Sequence, residues 1–269
     1  MSAYLRRDAA RSPQLGRARE LFTSTHLVRG ATAGQDSGLT WFRTNAPHEE
    51  LNAVLAVAGD RIDDAVRAMG DAPALWHSWP GDPRFDVEPG LRKRGFRFVE
   101  EEPVMVLSLD DGHASPPVRS VPGLQIQRVT DRESLTEWVR VWTGRTDPDL
   151  VAPLADKGLG RSAVVQHLLA RLHGKPVGCA AAVLADSVVG IEHVITSERH
   201  RGHGVGTALT IAAVEEGRTR CASAAVLTAS PDGLGIYRRL GFEEHAAVRR
   251  FARWPAGSDC NPESAAPPN

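Results

Sequence analysis

The chain has 269 residues, 42% of them hydrophobic and 24% charged, with a formal net charge of −1. That composition builds a normal core for one large domain or two of ordinary size, and it lacks the basic excess of a dedicated nucleic-acid binder. The apolar runs are too short to span a membrane, and the opening residues MSAYLRRDAARSPQ lack the apolar centre of a signal peptide. Cys179, Cys221 and Cys260 are far apart and have no CxxC spacing, so neither a disulfide framework nor a zinc site follows and the cytoplasm is the expected compartment.

In chain order, residues 13–22 fit an amphipathic helix, and 38–45 and 51–57 read as strands. Residues 61–70 carry Ile62, Val66 and Met69 at helical spacing, and Gly70 closes that helix. Residues 74–79 are strand-like, 87–95 form a short helix or turn, and 96–109 are mostly extended with a break at Pro103. The stretch DDGHASPPVRSVPG (110–123) has almost no apolar mass and reads as a linker.

The second half begins with an alternating strand at 124–130. Asp131 is a candidate N-cap for a helix with Leu135, Trp138 and Trp142 on one face. A loop-rich region follows from Gly144 to Gly160. AVVQHLLARLHG and KPVGCAAAVLA then suggest a hairpin, or a helix end running into strands; 187–197 reads as a β-branched strand and Gly204 to Gly217 as a helix. Residues 223–230 form another strand, with Ser230 read as the cap of a short helix at 233–241, and 242–254 close the sequence as a strand or strand pair. The tail at 255–269 has little to bury and is expected to be disordered. LRKRGF (91–96) echoes YRRLGF (237–242), with Leu91 standing where Tyr237 stands.

The stretch RHRGHGVGTAL (199–209) places three glycines between a strand and a helix. Free N–H groups of the first helical turn, the helix dipole and the close approach that glycine permits all favour an anion there, and Arg201 adds a cation. No Gly-Lys-Ser/Thr follows, and the glycine spacing is not GxGxxG. The pattern Arg201-x-x-Gly204-x-Gly206 instead resembles the acetyl-CoA loop of the GCN5-related N-acetyltransferase (GNAT) superfamily. GIEHVITSERHRG resembles that family's fourth strand, AAVLTAS its fifth, and GLGIYRRLGF its Y-x-x-L-G-F segment, so the resemblance covers about residues 124–254.

The resemblance implies an α/β (α+β) fold of two GNAT-like domains, each a mixed, mostly antiparallel central sheet flanked by helices. The expected division is a degenerate copy at 1–110, a linker at 111–123, the catalytic domain at 124–254 and the tail. It also implies that Val194, Ile195 and Thr196 pair with the pantetheine amides. The pyrophosphate is expected on Arg201, Gly202, His203, Gly204, Val205, Gly206 and Thr207.

An amine attacking a thioester must lose a proton, and the departing thiolate gains from receiving one. Glu192, mid-strand in a β-branched run, is the candidate base, either directly or through water, with an ion pair to an arginine as its structural alternative. Strand alternation puts it on the face opposite His193. Tyr237 is the candidate acid, since a tyrosine with the reference pKa of about 10 holds its proton at neutral pH; core packing is the alternative. Ten histidines show no HxxxH or HExxH spacing, so no metal is expected. His203 is read as solvent-facing or phosphate-flanking, Trp138 and Trp142 as core, and Asp147, Asp149 and Asp156 as loop acids that attract a cationic amine or are simply solvated.

The function expected is an acetyl-CoA-dependent N-acetyltransferase acting on a small-molecule or peptide amine in a ternary complex. It is expected to be a monomer or homodimer without nucleic-acid or membrane partners. The rivals are a non-catalytic CoA-binding module and a GNAT-fold enzyme with a different acyl-CoA reaction.

Overall fold

The computed structural model describes residues 13–36, 38–58, 61–82, 87–110, 120–160 and 163–255. The first twelve residues, 111–119 of the expected linker and 256–269 of the expected tail lie outside the described residues. Contacts divide the chain into two compact units. One holds Gly30–Glu102 and the chain from Ala247; the other holds Pro13–Arg29 and Pro103–Ala246. The units therefore differ from the two sequence halves on either side of residues 111–123.

In the first unit, β1 (Thr32–Gln35) and β2 (Leu39–Arg43) are antiparallel, β2 and β3 (Asn52–Val57) are antiparallel, and β3 and β4 (Ala74–Ser78) are parallel. Helix α2 (Ile62–Met69) joins β3 to β4, and α3 (Glu88–Arg92) follows β4. The far edge of β4 is paired by the end of the chain's last strand, β11 (Glu243–Arg253), with Arg249 opposite Ser78. The core gathers Val54, Met69, Trp76, Leu91, Phe96 and Phe251. β1 has no sequence signal: TAGQ is largely exposed and lacks alternating apolar residues, and its strand form comes from pairing with β2.

The second unit has strand order β5–β10–β9–β8–β7–β6, with β5 spanning Arg97–Ser108 and entering this unit from Pro103, β6 Leu124–Arg128, β7 Val165–Leu172, β8 Lys175–Ala185, β9 Val188–Thr196 and β10 Ala224–Thr228. Only β9 and β10 are parallel; the other neighbours are antiparallel. The helices are α1 (Pro13–Leu27), α4 (Arg132–Thr143), α5 (Pro148–Gly158), α6 (Val205–Arg218) and α7 (Pro231–Arg239). Helix α1 buries Leu15, Ala18, Phe22 and Thr25, a stripe that turns one face inward.

Two sequence expectations change here. β5 runs unbroken through Pro103, because that residue contributes its carbonyl, which accepts from the Ala229 N–H at 3.0 Å. The ladder to β10 begins at Val104, so the missing proline N–H is not required by β10. The region expected to be loop-rich holds α5, which starts with Pro148 in its first turn and buries Leu150, Val151, Leu154 and Ala155. Its prolines and glycines signal a loop locally, and the burial of that apolar face outweighs them.

Caps behave as their residue types dictate. The Asp131 carboxylate accepts from the Ser134 N–H at 2.8 Å, which holds its carboxyl below the ordinary range. Ser230 accepts from the Gly233 N–H at 3.3 Å and begins α7. Replacing Ser230 by Ala is expected to cost about 1 kcal/mol in denaturant unfolding, and an unchanged midpoint would show the cap to be silent.

The echoed segments share one helix ending. Phe96 N–H donates to Leu91 O and Phe242 N–H to Tyr237 O, each at 3.0 Å; Gly95 and Gly241 donate to Arg92 O and Arg238 O, each at 3.1 Å. Gly95 and Gly241 have φ of 81° and 90°, the left-handed conformation this ending requires.

Candidate active site

The site begins where two parallel strands part. β9 and β10 pair only at Val188–Ala224, Val189–Ala225 and Gly190–Val226, yet β9 continues to Thr196. Residues 191–196 therefore extend past the ladder while remaining tied to β8. Val189 faces α6, where a Cβ on Gly217 would lie 2.4 Å from Val189 Cγ1. Gly190 faces α1, where its added Cβ would lie 2.9 Å from Thr25 Cβ. Alternation then puts Glu192 on the α1 side.

The strand is not regular at that point. Opposite β8, Ala181 pairs with Glu192 and Cys179 with Ile195, so β9 carries an extra residue, and His193 has φ +53°. The bulge overturns the expectation that His193 faces away from Glu192: His193 Nε2 lies 3.7 Å from Glu192 Oε2. Arg29, just past α1, pairs with Glu192 Oε2 through Nη1 and approaches His193 Nε2 at 3.4 Å through Nη2. His26 Nε2 lies 3.6 Å from Glu192 Oε1. The arginine pair named as the structural alternative for Glu192 is thus present, supplied by a residue 163 positions away.

Burial pushes the Glu192 carboxyl up, but Arg29, His26 and His193 and the hydrogen bond from Arg29 outweigh it and hold the group below the ordinary carboxylate range. Trp142 lies against the His193 ring at 4.4 Å between centroids, and Trp138 meets it edge-on at 5.7 Å. Trp138 is fully buried and donates its indole N–H to Ala180 O at 2.9 Å, in keeping with a core residue. Behind it, the buried His167 is pushed down to about 3 by desolvation, with His193 and Arg29 adding to the effect, so it is neutral at physiological pH.

Beyond β9 the chain forms the glycine-rich turn. Arg201 is exposed and its Nε donates to Thr196 O at 3.4 Å; His203 Nδ1 reaches back to Arg201 O at 2.7 Å. Gly204, at φ +87°, begins α6, and no side chain caps that end. Val205 is buried and anchors the helix, whose first bond runs from Ala208 N–H to Gly204 O. The N–H groups of Val205, Gly206 and Thr207 precede that bond. A Cβ on Gly206 would make ordinary contacts, 3.5 Å from Thr196 Oγ1 and 3.8 Å from Ile236 Cδ1, so neither space nor backbone conformation demands glycine there. The Ile236 contact also places α7 beside the turn.

Tyr237 is 8% exposed and packs within this unit's core, its ring edge-on to Phe242 at 6.0 Å. The geometry brings Thr196, Arg201 and Gly206 together and, separately, Glu192 with His26, Arg29 and His193. Asp147 pairs with Arg145 at 3.2 Å, and Asp149 and Asp156 are exposed on α5. Among the described residues no group of three or more His, Cys, Asp or Glu side chains is arranged for a metal, and no helix is long and apolar enough to cross a membrane.

The parted strands, the turn and the helix that follows it lie in the stretch that matches a known family. Residues 132–242 match the acetyltransferase (GNAT) family. Among solved structures, a GCN5-related N-acetyltransferase from Kribbella flavida is 21% identical with a TM-score of 0.63, and the alignment covers 93% of this chain and 98% of that one. A conserved protein of unknown function from Staphylococcus epidermidis is 13% identical with a TM-score of 0.56, covering 85% and 95%. A GCN5-related N-acetyltransferase from Sphaerobacter thermophilus is 17% identical with a TM-score of 0.53, covering 69% and 61%. The likeness is one of GNAT fold: a mixed sheet flanked by helices. No curated protein matches the sequence significantly.

Two residues of the Glu192 cluster escaped the sequence reading. His26 and Arg29 lie in STHLVRG, which has no motif and no periodic link to β9.

Proposed function

We propose that the protein is an acetyl-CoA-dependent N-acetyltransferase that acylates a primary amine of a small molecule or peptide by direct attack in a ternary complex. The observation that carries this reading is the end of the β9–β10 ladder at Gly190, with β9 running on past it to Thr196 and leading into the uncapped, glycine-rich start of α6. Val194, Ile195 and Thr196 supply strand backbone for the pantetheine amides. Arg201 and the turn from Gly202 through His203, Gly204, Val205 and Gly206 to Thr207 receive the pyrophosphate. Gly206 fits this role because the absent Cβ leaves its N–H open to a closely approaching phosphate. Tyr237 donates a proton to the thiolate, and Glu192 stands on the acceptor side. A carboxylate held charged by Arg29 is a weak proton acceptor, so Glu192 acts by orienting and stabilising charge.

The first unit is proposed to be a degenerate copy of the same domain. Its order β3–α2–β4–α3 parallels β9–α6–β10–α7, both strand pairs are parallel, and the two short helices end alike. The first turn of α2 carries Asp63 and Asp64, which repel a phosphate, and Leu91 replaces the tyrosine. Unpaired cysteines, buried Cys179 and exposed Cys221, support a cytoplasmic setting.

Calorimetry with acetyl-CoA, followed by a free-thiol release assay across an amine panel, tests the reading. Saturable binding and amine-dependent release are expected. A folded protein that binds no acetyl-CoA would sink the donor assignment, and binding without release would favour a non-catalytic CoA-binding module. Gly206→Ala is expected to fold like the wild type and to bind acetyl-CoA about tenfold or more weakly. Equal affinity would remove the turn from the donor site.

A further inference from the structure

The contacts of His26 define which of its ring nitrogens carries a proton. Nδ1 lies 2.8 Å from Phe22 O, and a carbonyl oxygen only accepts, so Nδ1 is the N–H. In the neutral ring Nε2 is then the nitrogen that carries no proton, and it lies 3.6 Å from Glu192 Oε1. Oε1 is itself buried and has no hydrogen-bond partner among the described residues, while Oε2 is occupied by Arg29. Two acceptors therefore face each other across a gap in which a proton on Nε2 would convert repulsion into an ion pair. The ring is held for this by stacking on Phe22, 3.9 Å between centroids.

We propose that His26 Nε2 is the atom that receives the proton leaving the acceptor amine, with Glu192 stabilising the imidazolium and Arg29 keeping Glu192 in place. The inference rests on the acetyltransferase reading and adds to it a catalytic residue from the helix at the start of the chain. The acceptor ammonium gives one proton to Nε2. The neutral amine then forms the C–N bond as the C–S bond breaks, and the second proton shed by nitrogen reaches the thiol sulfur by way of Tyr237. The imidazolium afterwards returns its proton to solvent. Among the described residues, the charged and titratable groups of this cluster include Glu192 and His193 on β9, Arg29 after α1, and, behind Trp138, His167 on β7. His167 stays neutral near physiological pH and so takes no proton in this relay.

His26→Asn keeps an N–H donor where Nδ1 stands and removes the titrating nitrogen. In the full-length protein it is expected to bind acetyl-CoA as the wild type does and to release thiol at least about 100-fold more slowly, with the acidic limb of the pH–rate profile lost. A second measurement needs no His26 variant: the His26 imidazole, followed by NMR, is expected to titrate at lower pH in Glu192→Gln than in the wild type. Wild-type turnover and an unchanged pH profile in His26→Asn overturn the relay alone. An imidazole titration that ignores Glu192→Gln overturns the pairing, whether or not turnover is found. A wild-type protein that binds no acetyl-CoA overturns the function beneath it.

Discussion

Arg29→Ala is expected to destabilise the protein by about 3–5 kcal/mol near neutral pH, because it leaves the Glu192 carboxylate largely desolvated without its guanidinium. The pH dependence of that loss follows from the wild-type pair. Glu192 has a folded pKa below its unfolded value, so its contribution is present above the unfolded pKa and is lost as pH falls through the folded one. Removing Arg29 takes away the largest influence that opposes burial, and the carboxyl then shifts upward. The penalty is therefore greatest when Glu192 is charged and shrinks as acid protonates it. Denaturant unfolding at pH 7 and near pH 4 measures the difference. Arg29→Ala combined with Glu192→Gln is expected to recover much of the loss, since the stranded charge is then gone. A loss below 1 kcal/mol, or one independent of pH, would show that His26 and His193 suffice to hold the carboxylate.

Tyr237→Phe is expected to leave acetyl-CoA affinity nearly unchanged and to lower the rate of amine-dependent thiol release by about 100-fold or more. The substitution keeps the ring, so the edge-on contact with Phe242 and the packing of α7 survive and the fold is not at issue. What is removed is the hydroxyl proposed to protonate the departing sulfur. Affinity and turnover thus separate the two readings of this residue. Loss of turnover with binding intact assigns the hydroxyl to chemistry. Full turnover assigns the residue to the core, in which its burial already places it.

Much of the fold was legible because its signals are local. Asp131 and Ser230 cap the helices their positions suggested, and of the two readings left open for AVVQHLLARLHG and KPVGCAAAVLA the hairpin is the one that forms, turning at His173–Gly174. The glycine-rich turn also begins its helix where the spacing indicated. The failures share a different cause. Helix α5 was hidden by Pro148 and Pro153, β1 by a polar four-residue stretch, and the continuity of β5 by Pro103. In each case burial or strand pairing overrides a local preference of about 1–3 kcal/mol. His193 was put on the wrong face because alternation assumes an unbroken register, and one bulge residue reverses it.

The sequence by itself determined the donor side of the proposed site. Strand, arginine, glycines and helix are contiguous from Gly190 to Arg218, so their mutual geometry is set by turn and cap chemistry over a few residues. Only the tertiary structure decided the proposed acceptor side. It brings His26 and Arg29 across more than 160 positions to Glu192. It also assigns α1 to the second unit and pairs the chain's last strand with β4 in the first. No residue near Glu192 in sequence encodes those partners. They are selected by the burial of whole helix and strand faces, a sum over many side chains that has no signature at any one position.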